Sequence, residues 1–192
     1  MACKDLKVWA HYKNIPNIPG VDRGLRAGDC LKFAEDSYLK VLETPGHTDA
    51  HLCLLAYING HPYALFSGDC LFNAGVGNCH NGGKAEVLYN TVYEELRGLP
   101  DEVILYPGHE YLGYNLRFTL DREPSNKAAK KLLEEYEKTD INDSIILTNM
   151  QAEREVNTFF RLEEKEIIDG LKGDTYSNKQ VFLRLRELRN NW

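Results

Sequence analysis

Apolar and polar positions alternate over residues 6–10, which predicts a short strand, and the stretches Cys30–Phe33 and Leu39–Glu43 read as two more. Between them, Asn14–Gly20 carries two prolines and is a loop. Leu52–Ile58 is an unbroken apolar run, the pattern of a strand buried on both faces. Asn59-Gly60 follows, a dipeptide that type I′ hairpin turns favour because both residues accept positive φ, so Tyr63–Ser67 is the returning strand. Beyond a glycine-rich stretch from Gly75 to Gly83, Ala85, Leu88, Tyr89, Val92 and Leu96 recur at helical spacing and form one apolar stripe. Gly98 and Pro100 stop that helix, and Val103–Tyr106 is a further strand.

The pattern changes after about Asp121. Pro124 and Ser125 open a charged helix over Asn126–Lys138. Two later helix starts carry capping boxes, Thr148 with Gln151 and Ser177 with Gln180. On the last helix Val181, Leu185, Leu188 and Trp192 point to the core, and Arg184 lies on the solvent side. The chain therefore divides into a β-rich part, 1–121, and a helical part, 122–192.

Composition narrows the function classes. With 43% hydrophobic and 27% charged residues over 192 positions, the chain is globular. No apolar run approaches the ~20 residues that cross a bilayer, and Met1–Lys7 lacks the features of a signal peptide, so the expected location is the cytoplasm. A net charge of −6 repels polyanions and sets nucleic acid aside as a general ligand. The five cysteines, Cys3, Cys30, Cys53, Cys70 and Cys79, are odd in number and contain no CxxC pair, which fits reduced thiols. Cys53 lies inside an apolar run and reads as an inert buried thiol.

One arrangement occurs three times. Leu39–Glu43 runs into Thr44-Pro45-Gly46-His47, Tyr63–Phe66 into Ser67-Gly68-Asp69, and Val103–Tyr106 into Pro107-Gly108-His109. In each, an apolar strand stops at glycine and a metal-ligating residue follows. Proline ends the pairing because it has no N–H to donate, and glycine lets the chain turn sharply beside a site. A single Pro-Gly-His is most simply a turn. Three such strand ends favour shared chemistry, with His47, Asp69 and His109 as ligands of a first-row metal for which zinc is suited. His47 and His51 do not form a helical zinc pair, because Pro45-Gly46 precedes them and a strand opens at Leu52; His51 is expected to support the site by hydrogen bonding. His11, His61 and His80 read as surface or loop histidines.

At Thr44-Pro45-Gly46-His47-Thr48, Phe66-Ser67-Gly68-Asp69 and Tyr106-Pro107-Gly108-His109-Glu110-Tyr111, the chain resembles the metallo-β-lactamase superfamily. Its helical tail and Leu71–Gly77 segment resemble the hydroxyacylglutathione hydrolase (glyoxalase II) branch. The resemblance implies an α/β fold, a truncated αββα sandwich with a C-terminal helical domain. It implies two divalent metal ions, zinc foremost with iron or manganese as alternatives: His47 on the first, His109 on the second and Asp69 bridging. It implies hydrolysis of an S-(2-hydroxyacyl)glutathione, such as S-lactoylglutathione, to glutathione and a 2-hydroxy acid by a water activated on the metals. Tyr111 would pack beside the glutathione moiety, and Arg186 and Arg189 would hold its glycine carboxylate. Asn78 and His80 would complete the substrate loop, where the family often carries a basic residue and an aromatic pair. The superfamily's His-x-His-x-Asp-His signature is absent and is expected just upstream of Met1. Each metal is then left with one histidine and a shared carboxylate, so weak metal binding, little hydrolysis and self-association through an uncovered apolar face are expected. A persulfide dioxygenase with a single iron and a non-catalytic fragment of the same fold stay open as alternatives.

Overall fold

The computed structural model describes residues 6–140, 144–171, 173 and 176–192; Cys3 lies outside them. The chain opens with β1 (Trp9–His11), a tight turn at Tyr12–Asn14, and β2 (Arg23–Leu25), which pairs parallel with β1. A five-stranded sheet follows from β3 (Cys30–Ala34), β4 (Ser37–Glu43), β5 (Leu52–Ile58), β6 (His61–Gly68) and, later in the chain, β9 (Ile104–Pro107). The first four strands form an antiparallel meander, and β9 joins β6 in parallel. Asn59 and Gly60 both have positive φ, 49° and 77°, as the hairpin turn between β5 and β6 requires. Between β6 and β9 lie the short pair β7 (Leu71–Phe72) and β8 (Gly75–Val76), then α1 (Ala85–Tyr89). This helix runs on through a wide turn at Asn90–Glu95 and closes in a tight one at Leu96–Gly98.

Cross-strand register sorts the sheet residues by face. Leu55, Leu65 and Leu105 are neighbours across β5, β6 and β9 and are buried against the helices. Leu54, Phe66 and Tyr106 form the adjacent row on the opposite face, where Phe66 is 44% exposed and stacks on Tyr106. The β5 run is covered unevenly: Cys53 and Leu55 are buried on the helix side, and on the other face Ala56 is buried while Leu54 is half-buried. An unbroken apolar run does not distinguish these cases, because it records composition and not what covers each face.

The remaining helices are α2 (Leu112–Arg122), α3 (Lys127–Lys138), α4 (Met150–Val156), α5 (Lys165–Gly170) and α6 (Asn178–Asn190). Ser177 and Gln180 make both halves of the predicted capping box. The other cap differs: Asn149, not Thr148, accepts from Ala152 N–H, because Thr148 is drawn inward to donate to Glu153 Oε1 at 2.5 Å. Asn126 caps α3 in the same way and lies just outside it, so the helix begins one residue after the expected start at Asn126. Of the predicted core stripe on α6, Val181 and Leu185 are buried, but Trp192 is 42% exposed and packs edge-on against Tyr114 and Phe118. His11 is also displaced from expectation. It is 5% exposed, stacked on Tyr12, and burial lowers its pKa.

Candidate metal centre and the cavity beside it

Strands β4, β6 and β9 run in the same direction, so their C-terminal ends share one rim of the sheet. The three predicted residues meet there. His47 Nε2 stands 3.7 Å from Asp69 Oδ2, and His109 Nε2 stands 3.6 Å from Asp69 Oδ1. Each carboxylate oxygen thus faces a different imidazole. His47 is 8% exposed and its Nδ1 lies 2.7 Å from Asn78 O. That carbonyl can only accept, so Nδ1 carries a proton, and Nε2 is the ring nitrogen turned toward Asp69. The half-exposed His109 ring stacks on Tyr111 and lies beside Phe72.

Backbone closeness makes this possible. Gly46 has φ +136°, and a side chain there would run into the Leu88 backbone at the start of the helical run. Gly108 N–H donates to Gly68 O at 2.9 Å, which locks the His109 turn to the Asp69 turn.

The donor set fits a pair of metal ions. The N–O separations exceed hydrogen-bond length. Two ligands at about 2.1 Å on one tetrahedral zinc stand about 3.4 Å apart, close to both gaps. Among the described residues, this set would offer each of two ions one imidazole nitrogen and one carboxylate oxygen.

The five expected substrate residues also come together. Asn78, His80, Tyr111, Arg186 and Arg189 all line one cavity of about 200 Å³, with Phe72, Val76, Asn115 and Asn190. Tyr111 and Phe72 pack edge to face, 5.1 Å between centroids, and form the wall between this cavity and His109. The two arginines differ in character. Arg186 is 4% exposed, and its Nη1 donates to Val76 O and Gly77 O at 3.0 and 3.1 Å. Burial, with Arg189 nearby, pushes its pKa down to about 10. Arg189 lies over the Tyr114 ring, 4.1 Å from its centroid, and donates to Asn115 Oδ1 at 3.1 Å. Burial lowers its pKa as well. Arg184 pairs with Glu187 at the surface, as expected.

His51 is hydrogen-bonded, as expected, but to Thr44 and not to His47, Asp69 or His109. Its Nδ1 lies 2.9 Å from Thr44 Oγ1, and its ring meets that of His47 edge-on. Asn115 was not legible as a cavity residue because α2 itself carries no clear apolar stripe in the sequence. Its amide is fixed by donation to Asn73 O at 2.9 Å.

Comparison with known proteins decides the family. A model of the hydroxyacylglutathione hydrolase C-terminus matches residues 110–192. The hydroxyacylglutathione hydrolase of Nitrosococcus oceani is 50% identical over 193 residues, covering 97% of this chain and 72% of that protein. The chain belongs to the hydroxyacylglutathione hydrolase family. The Polaromonas member is 47% identical, over 100% of this chain and 74% of its own length. Membership makes the chain a hydrolase of the metallo-β-lactamase superfamily, and metal ions are implied with it. Solved structures agree on the fold. ETHE1 from Myxococcus xanthus superposes with a TM-score of 0.56 at 22% identity, covering 95% of this chain and 65% of that one. A metallo-β-lactamase from Staphylococcus aureus gives 0.51 at 24% identity, over 93% of this chain and 46% of its own. The α/β fold expected from the sequence is thus the metallo-β-lactamase fold. Among the described residues, no helix is long and apolar enough to cross a membrane.

Proposed function

We propose that this site hydrolyses S-(2-hydroxyacyl)glutathione thioesters to glutathione and a 2-hydroxy acid. The observation that carries the proposal is Asp69, with one oxygen toward His47 and the other toward His109, next to a cavity lined by two arginines. His47 and Asp69 would hold one ion, and His109 and Asp69 the other, with zinc the ion proposed. When bound, the ions supply Lewis acidity, which polarises the thioester carbonyl and acidifies water. A single-iron site would draw on His47 and Asp69 as well, so it is the helical tail, with Arg186 and Arg189 at the cavity, that favours the hydrolase.

The chain's own residues do the rest. Arg189, with Asn78 and His80 at the same cavity, would bind the charged peptide part of the thiol, and Tyr111 would pack along it. Arg186 would act chiefly by holding the Val76–Gly77 backbone in place. Asn78 contributes its carbonyl to fix the His47 tautomer. No acid is needed for the leaving group, because a thiol of pKa about 8.5 departs as thiolate near neutral pH. We place the reaction in the cytoplasm, where the free thiols of Cys30, Cys53, Cys70 and Cys79 would stay reduced. Catalytic zinc ordinarily keeps three protein ligands and a water. With two ligands per ion among the described residues, zinc is expected to bind weakly and turnover to be slow.

The test pairs zinc calorimetry with glutathione release from S-lactoylglutathione. Asp69→Asn should lower both the number of ions bound and the rate. Zinc binding and cleavage that ignore Asp69→Asn would defeat the proposal.

A further inference from the structure

A second group of metal-ligand side chains sits just behind this centre and shares none of its ligands. A ring nitrogen of His51 and the sulfurs of Cys53 and Cys70 all lie within 4.8 Å of one another. Both thiols are completely buried, and His51 is half-buried. The fold brings them together from two directions. Cys53 is on β5, against the end of β6, where its sulfur reaches Ser67 O at 3.4 Å. Cys70 closes the turn after β6, its N–H donating to Ser67 O at 3.1 Å. Gly68, at φ +50°, lets this turn wrap His51 closely: a Cβ there would lie 2.9 Å from His51 Nε2. Thr44 Oγ1 stands 2.9 Å from His51 Nδ1 and 3.2 Å from Cys53 Sγ, so a hydroxyl oxygen is at hand as well.

We infer that His51, Cys53 and Cys70 form a separate binding site for one thiophilic d10 cation, with Zn²⁺ the ion that suits its charge. Two sulfurs on one zinc at about 2.3 Å stand about 3.8 Å apart, so closure asks for a contraction of about 1 Å or less. Binding releases both thiol protons to solvent. The resulting Zn²⁺, two thiolates and neutral imidazole carry no net charge, which a dry interior accepts where it would reject an isolated ion. Thiolate and imidazole are the soft and borderline donors that select such an ion over magnesium or calcium. Bound there, the ion would tie β5 to the turn that carries Asp69. This site rests on geometry and ligand chemistry alone, and stands or falls separately from the hydrolytic reading.

The experiment uses the reduced full chain with Co²⁺ as the probe, followed by X-ray absorption on the zinc-loaded protein. The expected result is a thiolate-to-cobalt charge-transfer band, saturating at one equivalent. It should be lost in Cys53→Ser and in Cys70→Ser, and kept in Cys30→Ser and Cys79→Ser. It should also be kept in Asp69→Asn, which separates this site from the hydrolytic one. Zinc in the unsubstituted protein should show sulfur neighbours, so the outcome does not depend on whether the cysteine variants fold. Absence of sulfur around zinc overturns the inference. So does a band indifferent to both cysteine substitutions, or a Cys53–Cys70 disulfide that reductant and zinc together do not convert to the metal form.

Discussion

Gly108 approaches Asp69 so closely that a methyl group on its Cα would lie 2.5 Å from Asp69 Oδ1. A carbon that close must push the carboxylate aside, and that oxygen is the one facing His109 Nε2. Gly108→Ala is therefore expected to leave the fold intact while moving Asp69 by a fraction of an ångström or more. Misplacement on that scale costs on the order of 100-fold in rate where a reaction depends on position. Thioester cleavage should fall by about that factor and zinc affinity should fall with it, while the circular dichroism spectrum stays unchanged. Full zinc affinity in the alanine variant would show that Asp69 has room to shift.

The two cavity arginines should separate in kinetics and in stability. Arg189 donates to Asn115 and lies among the Tyr114, Phe118 and Trp192 rings but holds no buried backbone carbonyl, so Arg189→Ala removes ligand contact more than structure. KM for the glutathione thioester should rise about tenfold or more with kcat nearly unchanged, the mark of lost uniform binding. Arg186→Ala strands the Val76 and Gly77 carbonyls in the core, and each buried unsatisfied group costs about 1–3 kcal/mol. Urea unfolding should show that loss for Arg186→Ala and almost none for Arg189→Ala. Equal destabilisation by both would remove the distinction.

Much of the centre was legible because strand ends announce themselves. Thr44-Pro45-Gly46-His47, Gly68-Asp69 and Pro107-Gly108-His109 combine a chain stop with a ligand, and parallel strands bring such ends to one rim. The cavity residues came by resemblance, and all five line the same cavity. What escaped were features fixed by contacts between distant segments. Cys53 read as a buried thiol, and it is buried; its nearness to Cys70 comes only through the β6 turn, which no local pattern carries. His11 read as a surface or loop histidine, but it is buried at the end of β1 with its ring stacked on Tyr12. Thr148 has the spacing of a cap, and Glu153, invisible as a core residue on charge alone, takes its hydroxyl instead.

Glu153 is completely buried. It accepts from Thr148 Oγ1, Ala74 N–H and Asn157 Nδ2, yet burial outweighs these bonds and raises its pKa from 4.5 to about 7. Between those two values the folded chain holds a proton that the unfolded chain has released. Stability from this group is therefore present below pH 4.5 and is lost as pH rises to about 7. The full span is about 3 kcal/mol. Glu153→Gln, neutral at every pH, should lack that slope. Urea unfolding between pH 4.5 and 8 would show the wild type losing stability relative to the variant as pH rises. Parallel profiles would place the pKa of Glu153 at its ordinary value.

Glu123 and Arg161 join the end of α2 to the segment after α4 through a two-pronged pair: Nε to Oε2 at 2.8 Å and Nη2 to Oε1 at 2.6 Å. Glu123 is 4% exposed, and its Oε2 also accepts from Asn126 Nδ2, the residue that caps α3. The pair therefore fixes three helices at one point. Removing Arg161 leaves the buried Glu123 charge unmatched, which typically costs about 3–5 kcal/mol. Arg161→Met should destabilise the chain by that order and Glu123→Gln by less, because Arg161 keeps its second partner Glu164 and glutamine keeps an acceptor for Asn126. The double variant should recover part of the loss, since no unpaired charge remains. A thermodynamic cycle on the four proteins measures the coupling. Additive losses would mean that the two side chains act independently and that packing alone holds the helical tail in place.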